Sequence, residues 1–251
     1  MTEIITVSSF KGGTAKTSIA LNVGAILAKR FKKKVLLIDF DSQANLTAGL
    51  GFDPDMQDSL APVLQGEKTI EQVILKTKTK GLFLVPADSW LERVEVTGTL
   101  AADRYSHEKL KKILGPLNYD YIIIDTPPSL CWLTESAFIA SKSCLVAATP
   151  AFYSVKGLQR LALFMNTIAV RHPIKMLGVA LSFWDNRGKN NESFIEAINS
   201  SFPGKILDYK IRKDIKVSEA TIIGKPIIET APSARAAEDY LNLTKEILTK
   251  I

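Results

Sequence analysis

The 251-residue sequence predicts an α/β protein with a mostly parallel, twisted sheet and helices on both faces. Two observations carry this expectation. Apolar runs such as "KVLLIDF" (34–40), "DYIIIDTP" (120–127) and "SCLVAATPA" (143–151) barely alternate, as strands buried on both faces should. Segments of helical period stand between them, beginning with "TSIALNVGAILAKRF" (17–31).

In chain order, strands are expected at "EIITVSSF" (3–10), 34–40, "GLFLVPA" (81–87), 120–127, 143–151 and "KMLGVALSF" (175–183). Helical spacing marks 17–31, "SHEKLKKILGPL" (106–117), "LTESAFIAS" (133–141), 155–171, "NESFIEAINSSF" (191–202) and 234–250. Residues 51–80 are weaker in pattern and are expected to hold two short helices with loops. No repeat, low-complexity run or long linker interrupts the chain, so 1–251 is expected to be a single domain. Ligands of such sheets sit at the carboxyl ends of the strands.

Composition narrows the function. Hydrophobic residues make up 46% and charged residues 23%, enough for a sizeable core and unlike a disordered chain. A net charge of +6 permits an acidic partner without demanding one. Two cysteines and two histidines, with no C-x-x-C, argue against a disulfide framework or a zinc site. The first residues enter a strand rather than a secretory leader, and no apolar run approaches the ~20 residues that span a bilayer. A cytoplasmic protein is expected.

Residues 8–18, "SSFKGGTAKTS", join the first strand to the first helix. They depart from the phosphate loop G-x-x-x-x-G-K-[ST], because Phe10 and Ala15 occupy its glycine positions. The context is still that of an anion site, with a glycine turn running into a helix N-terminus. Gly12, Gly13, Thr14, Ala15 and Ser18 would frame it. Lys16 would reach terminal phosphates and the Thr17 hydroxyl would ligate Mg²⁺. Lys11 is extra to the loop's own geometry; a cation there can reach across to a nucleotide on a second subunit. Asp125 ends an apolar strand, where a carboxylate would hold Mg²⁺ through water, and Asp39 ends the neighbouring strand beside the same shell. Asp41 points the same way from further into the loop. Plain turn residues are the alternative for Asp39 and Asp41.

"KGGTAKTS" (11–18) resembles the deviant Walker A box, K-G-G-x-x-K-[ST], of the ParA/MinD family of P-loop ATPases, with Ala15 where many members have glycine. "LLIDFDSQANLT" (36–47), "YDYIIIDTPPSL" (119–130) and "FYSVKGLQRL" (152–161) are similar to later boxes in family order. "VSEATIIGKPIIETAPSARAAEDYLNL" (217–243) resembles the ParA/Soj partition branch. The resemblance implies a P-loop NTPase fold, ATP and Mg²⁺ as cofactors, hydrolysis of ATP to ADP and phosphate, and an ATP-dependent homodimer. It implies that Asp41 positions the attacking water, that Lys11 and Lys16 stabilise charge in the reaction, and that the loops near Trp184–Arg187 and Pro232 approach adenine. It also implies non-specific double-stranded DNA as a partner, bound through Lys213, Lys216 and Arg235, nucleoid association, and a ParB-type protein that stimulates slow turnover.

Other readings are weighed against this one. The run "KRFKKK" (29–34) is read as complementing the dipole at the end of the first helix rather than touching DNA. A MinD-like membrane-cycling ATPase is the alternative; the tail "YLNLTKEILTKI" ends with a helix expected to pack on the sheet, so no stable membrane association is expected. An iron–sulfur carrier would need both cysteines as ligands, whereas Cys131 and Cys144 read as small core residues. An ATP-using ligase would need a second substrate pocket that no motif announces.

Overall fold

The computed structural model describes residues 2–56, 58–96, 106–150 and 154–251. Its elements, in order, are β1 (Glu3–Ser8), α1 (Lys16–Arg30), β2 (Val35–Asp39), α2 (Asn45–Gly49), α3 (Leu60–Gln65), α4 (Ile70–Val73), β3 (Leu75–Lys76) and β4 (Leu82–Val85). Then follow α5 (Trp90–Val96), α6 (Lys109–Leu114), β5 (Tyr121–Asp125), α7 (Trp132–Ala140), β6 (Ser143–Ala148), α8 (Ser154–Ala169) and β7 (Lys175–Leu181). The chain closes with α9 (Asn191–Ser201), α10 (Ile215–Ile223), α11 (Ile227–Thr230) and α12 (Arg235–Lys250).

The strands form one sheet in the order β3-β4-β2-β5-β1-β6-β7. All neighbouring pairs are parallel except β3 with β4. The six expected strands are present. The seventh, β3, is a two-residue antiparallel edge too short to leave a sequence period. It lies in the 51–80 stretch, together with α3 and α4. The short helices α2, α5, α10 and α11 also went unmarked, because four to nine residues give too few turns for a periodic signal.

Both faces of the sheet are covered, which accounts for the continuous apolar strands. Along β5, Ile123 faces the side packed by α1 and α12, while Ile122 and Ile124 face α3, α5, α6 and α7. Along β2, Leu37 and Leu36 divide in the same way. The parallel register sets the site. Asp39 of β2 pairs with Asp125 of β5, and Asp125 pairs in turn with Val7 of β1. Two carboxylates and the start of the 8–18 loop therefore emerge on one carboxyl edge.

Helices α2 and α10 end against each other through glycines. Gly51 and Gly224 both have positive φ, 81° and 70°, and a Cβ on Gly224 would lie 2.5 Å from the Gly51 Cα. Backbone cannot yield cheaply there. Gly224→Ala is therefore expected to cost roughly 2–4 kcal/mol through left-handed strain and overpacking. Thermal unfolding should show a fall in Tm of roughly 5–15 °C.

Candidate active site

The loop from Ser9 to Ala15 delivers the chain from β1 into α1. Phe10 anchors its start: a Cβ on Gly157 of α8 would fall 1.6 Å from the Phe10 ring, so only a glycine leaves room for it. The Ser9 and Thr14 hydroxyls both donate to the Lys11 carbonyl, at 3.0 and 3.3 Å, which tightens the turn. Gly13 has φ 74° and Ala15 has φ 60°, so the turn needs left-handed backbone twice. This explains a glycine preference at position 15, since alanine carries a strain of about 1–2 kcal/mol there. No side chain caps α1, leaving its first N–H groups directed at a concavity of about 740 Å³. A Cβ on Gly12 or Gly13 would meet nothing within 4 Å, so the loop backbone faces open space. This is the arrangement of an anion cradle.

Lys16 is the first residue of α1, and its Nζ donates to Asp125 Oδ1 at 2.9 Å. The two side chains are 6% and 0% exposed. Asp125 Oδ2 is buried without a hydrogen-bond partner. Asp39 is spoken for: its Oδ2 accepts from the Thr47 backbone N–H at 2.8 Å and from the Thr47 hydroxyl at 2.7 Å, and its Oδ1 accepts from the Asp41 N–H at 3.3 Å. Burial, and then the facing Asp125 carboxylate, push Asp39 up to about 7 despite those hydrogen bonds. Asp41 lines the concavity and accepts from the Gln43 N–H at 3.1 Å. Its carboxyl is raised, chiefly by burial.

Two buried carboxylates facing one ammonium leave room for further positive charge. The orphaned Asp125 oxygen, the Asp39 carboxylate and the Thr17 hydroxyl on the first turn of α1 are hard oxygen donors at a phosphate cradle, a donor set that fits Mg²⁺. The structure thus brings Lys11, Gly12, Gly13, Thr14, Ala15, Lys16, Thr17, Ser18 and Asp41 to one concavity, with Asp125 buried behind Lys16 and Asp39 beside Asp125 in the sheet. Sequence reasoning missed several neighbours. Gln43, Asn45 and Pro128 line the concavity, as do Phe183 and, from α10, Thr221 and Ile222.

Pro232 is set apart from this constellation. It borders a different hollow together with Arg30 and Glu238, and Arg30 ends the helix that the loop begins. Pro232 does not line the concavity that the loop faces. Trp184 lies in the core, with its Nε1 donating to Asn186 Oδ1 at 2.7 Å, and presents the adjoining Phe183 to the concavity instead. Cys144 is buried in β6 and its thiol is pushed up to about 12 by desolvation, while Cys131 sits at the start of α7. Both histidines line a separate hollow beside α7 and α8, where His107 Nδ1 is 3.6 Å from Glu135.

Lys213, Lys216 and Arg235 are exposed and gather around Asp214. Asp214 Oδ1 accepts from the Lys216 N–H at 3.1 Å, capping α10, and Oδ2 accepts from the Ala236 N–H at 3.3 Å in the first turn of α12. One carboxylate therefore ties two helix N-termini together. Arg212 completes the tie with a forked contact to Asp239 of α12, as close as 2.6 Å. Lys216 also reaches Glu219 at 2.7 Å.

A phosphate cradle with paired carboxylates at the carboxyl edge of a parallel sheet defines a nucleoside-triphosphate-hydrolysing protein of the P-loop class. Comparison with known proteins gives the particular family. The family described as "AAA domain" matches residues 2–176. A "ParA family protein" of Chlamydia trachomatis serovar D is 66% identical, covering 97% of this chain and 96% of the other. The "Chromosome partitioning protein ParA" of Caulobacter vibrioides is 31% identical over 98% of this chain and 94% of the other. Among solved structures, the septum site-determining protein MinD of Pyrococcus horikoshii, complexed with Mg-ADP, superposes with a TM-score of 0.81 at 26% identity, covering 98% and 96% of the two chains. The chain belongs to the ParA family. It is an ATPase, with ATP and Mg²⁺ as its cofactors. No described helix is long and apolar enough to cross a membrane.

The raised Asp39 carboxyl makes stability depend on pH. Unfolded, Asp39 ionises near its ordinary 3.8; folded, it keeps its proton to about 7. Between those values the folded state binds more protons, so this group's contribution falls as pH rises and levels off above about 7. Denaturant titration of the nucleotide-free protein should show this loss between about pH 4 and pH 7, and Asp39→Asn should flatten it.

Proposed function

We propose that the chain is an ATP-driven switch for partitioning DNA. The observation that carries this reading is the Lys16–Asp125 pair beneath an uncapped α1, with Asp39 and Asp41 alongside. With nucleotide bound, Lys16 exchanges Asp125 for phosphate oxygens. Asp125, Asp39 and Thr17 would hold Mg²⁺, which would supply charge neutralisation on the transferring phosphoryl group. Asp41 orients water for in-line attack on that group, yielding ADP and phosphate. It serves as a positioning group, because a carboxylate beside a metal is a weak base.

A second copy of the chain completes the site. Lys11 lies at the exposed entrance of the loop, on the rim from which a partner's nucleotide can be reached. Ile222, 85% exposed, and Phe183, 48% exposed, border the same concavity and supply apolar surface for a dimer to cover. ATP then holds the dimer together and hydrolysis releases it. The dimer binds duplex DNA without sequence preference through Lys213, Lys216 and Arg235. Support comes from their grouping on one exposed surface around the Asp214 tie, where their side-chain charge favours phosphate. The partitioning role named for the Caulobacter relative fits this reading. A ParB-type partner stimulates slow hydrolysis, and the chain associates with the nucleoid.

Asp41→Ala should retain ATP binding yet hydrolyse at least 100-fold more slowly and accumulate as an ATP-bound dimer; light scattering showing only monomer would reject the role given to Asp41. The triple variant Lys213→Glu, Lys216→Glu, Arg235→Glu should still dimerise with ATP but lose binding to random-sequence duplex. Retained binding in a fluorescence anisotropy titration would remove that surface from the reading.

A further inference from the structure

The run "KRFKKK" does not serve only the α1 dipole. Two carbonyls near the end of α1 are met by backbone: the Phe31 N–H donates to the Ile26 carbonyl at 3.4 Å and the Lys33 N–H to the Leu27 carbonyl at 3.1 Å. Lys32 takes a left-handed φ of 57°, a position where glycine is the usual choice. Two further lysines arrive from elsewhere. Lys78 and Lys80 come from the β3–β4 turn, and Lys29, Lys32, Lys33, Lys78 and Lys80 line one concavity of about 660 Å³.

The concavity is built, not draped. The Gly81 carbonyl accepts from the Val35 N–H at 2.9 Å, and a Cβ on Gly81 would stand 3.1 Å from the Lys33 carbonyl. The Thr77 hydroxyl donates to the Leu82 carbonyl at 2.9 Å and accepts from the Thr79 N–H at 3.1 Å, fixing the turn that carries the lysines. Glu229 is the carboxylate in the lining. It is shared by Lys29 at 3.2 Å and by the buried Thr79 hydroxyl at 3.1 Å. The other four lysines have no carboxylate partner among the described residues. Converging like charges repel one another, and an anion relieves that repulsion.

We infer that this concavity is a second phosphate-backbone site for duplex nucleic acid, continuous with the face at Lys213, Lys216 and Arg235. The inference rests on the DNA-binding reading above. Continuity comes from the segment between: Glu229 lines the lysine concavity, while Pro232, Ser233 and Glu238 share their hollow with Arg30. Arg30 follows Lys29 of the lysine concavity in sequence and lines its own hollow with Ala234, the residue before Arg235, so it lies between the two cationic groups. An anionic membrane is the less suitable occupant. None of the large exposed apolar residues lines the concavity, so nothing there would insert into a bilayer.

The test compares duplex binding by the full chain with ATP across a salt series. Wild type, the glutamate triple variant of the Lys213 face, and Lys33→Ala/Lys78→Ala/Lys80→Ala are titrated with random-sequence duplex, with melting temperature as the folding control. Each phosphate contact contributes roughly 0.9 to the slope of log K against log salt. The lysine variant should bind at least ten-fold more weakly and lose about two units of slope. Should it misfold, Lys78→Ala/Lys80→Ala takes its place, with a loss of one unit or more expected. Unchanged affinity and slope, while the glutamate variant loses binding, overturns the inference and leaves the DNA reading standing. No binding by wild type in any nucleotide state overturns both. Anionic phosphatidylglycerol vesicles that capture wild type but not the lysine variant, with duplex affinity unchanged, assign the concavity to lipid and likewise overturn it.

Discussion

The buried Lys16–Asp125 ion pair is the contact on which the site depends. Sheet register places Asp125 opposite Asp39, so two carboxylates share a dry floor with one ammonium. Neither charge could be buried alone, and removing either partner strands the other. The surplus carboxylate is handled locally. Asp39 takes the Thr47 backbone N–H and hydroxyl, which fixes α2 just beyond β2, and the Thr47 hydroxyl in turn accepts from the Ala87 N–H at 3.1 Å. A ligand that draws Lys16 away, or neutralises Asp39, therefore acts directly on the seat of α2.

From α2 the connection to the cationic face is short. Helix α2 ends on α10 through the Gly51–Gly224 contact, where two backbones meet with no side chain to cushion a shift. Helix α10 spans nine residues, with Thr221 and Ile222 beside the loop and Lys216 in its first turn, where Asp214 binds it to α12. Backbone strain gathers along the same path. Three of the non-glycine residues with positive φ are Ala15 in the loop, Ala44 at the start of α2 and Phe183 on the rim. Such conformations persist where surrounding contacts impose them.

What the sequence made legible was local chemistry. Strands buried on both faces left apolar runs, and "KGGTAKTS" carries its anion-binding logic within eight consecutive residues. Asp39 and Asp125 could be placed because both end such runs. What stayed hidden was set by distant partners. Phe10 read as a missing glycine until Gly157, far along the chain, proved to make room for its ring. Thr47 and Asp214 look like ordinary polar residues, and their capping roles arise only when β2 meets α2 and α10 meets α12. Pro232 is assigned by family position alone, and it borders a hollow with Arg30 that the loop does not share. The lysines at 29–34 read as one run at the end of one helix. Lys78 and Lys80 join them only after an antiparallel edge strand, invisible by period, folds back beside β4.

Helix α1 separates the phosphate cradle from the lysine-lined concavity. Its N-terminus, dipole-positive and uncapped, faces the phosphate cradle, while its far end, dipole-negative, is surrounded by lysines. Eleven of its fifteen residues are buried, so it cannot slide or bend to carry a signal between those ends without breaking the core. The contacts that join the loop to the Lys213 face therefore run around it, through α2, the Gly51–Gly224 joint, α10 and the Asp214 tie. The rigid helix fixes the distance between the phosphate cradle and the lysine concavity, and the glycine joint lies outside it.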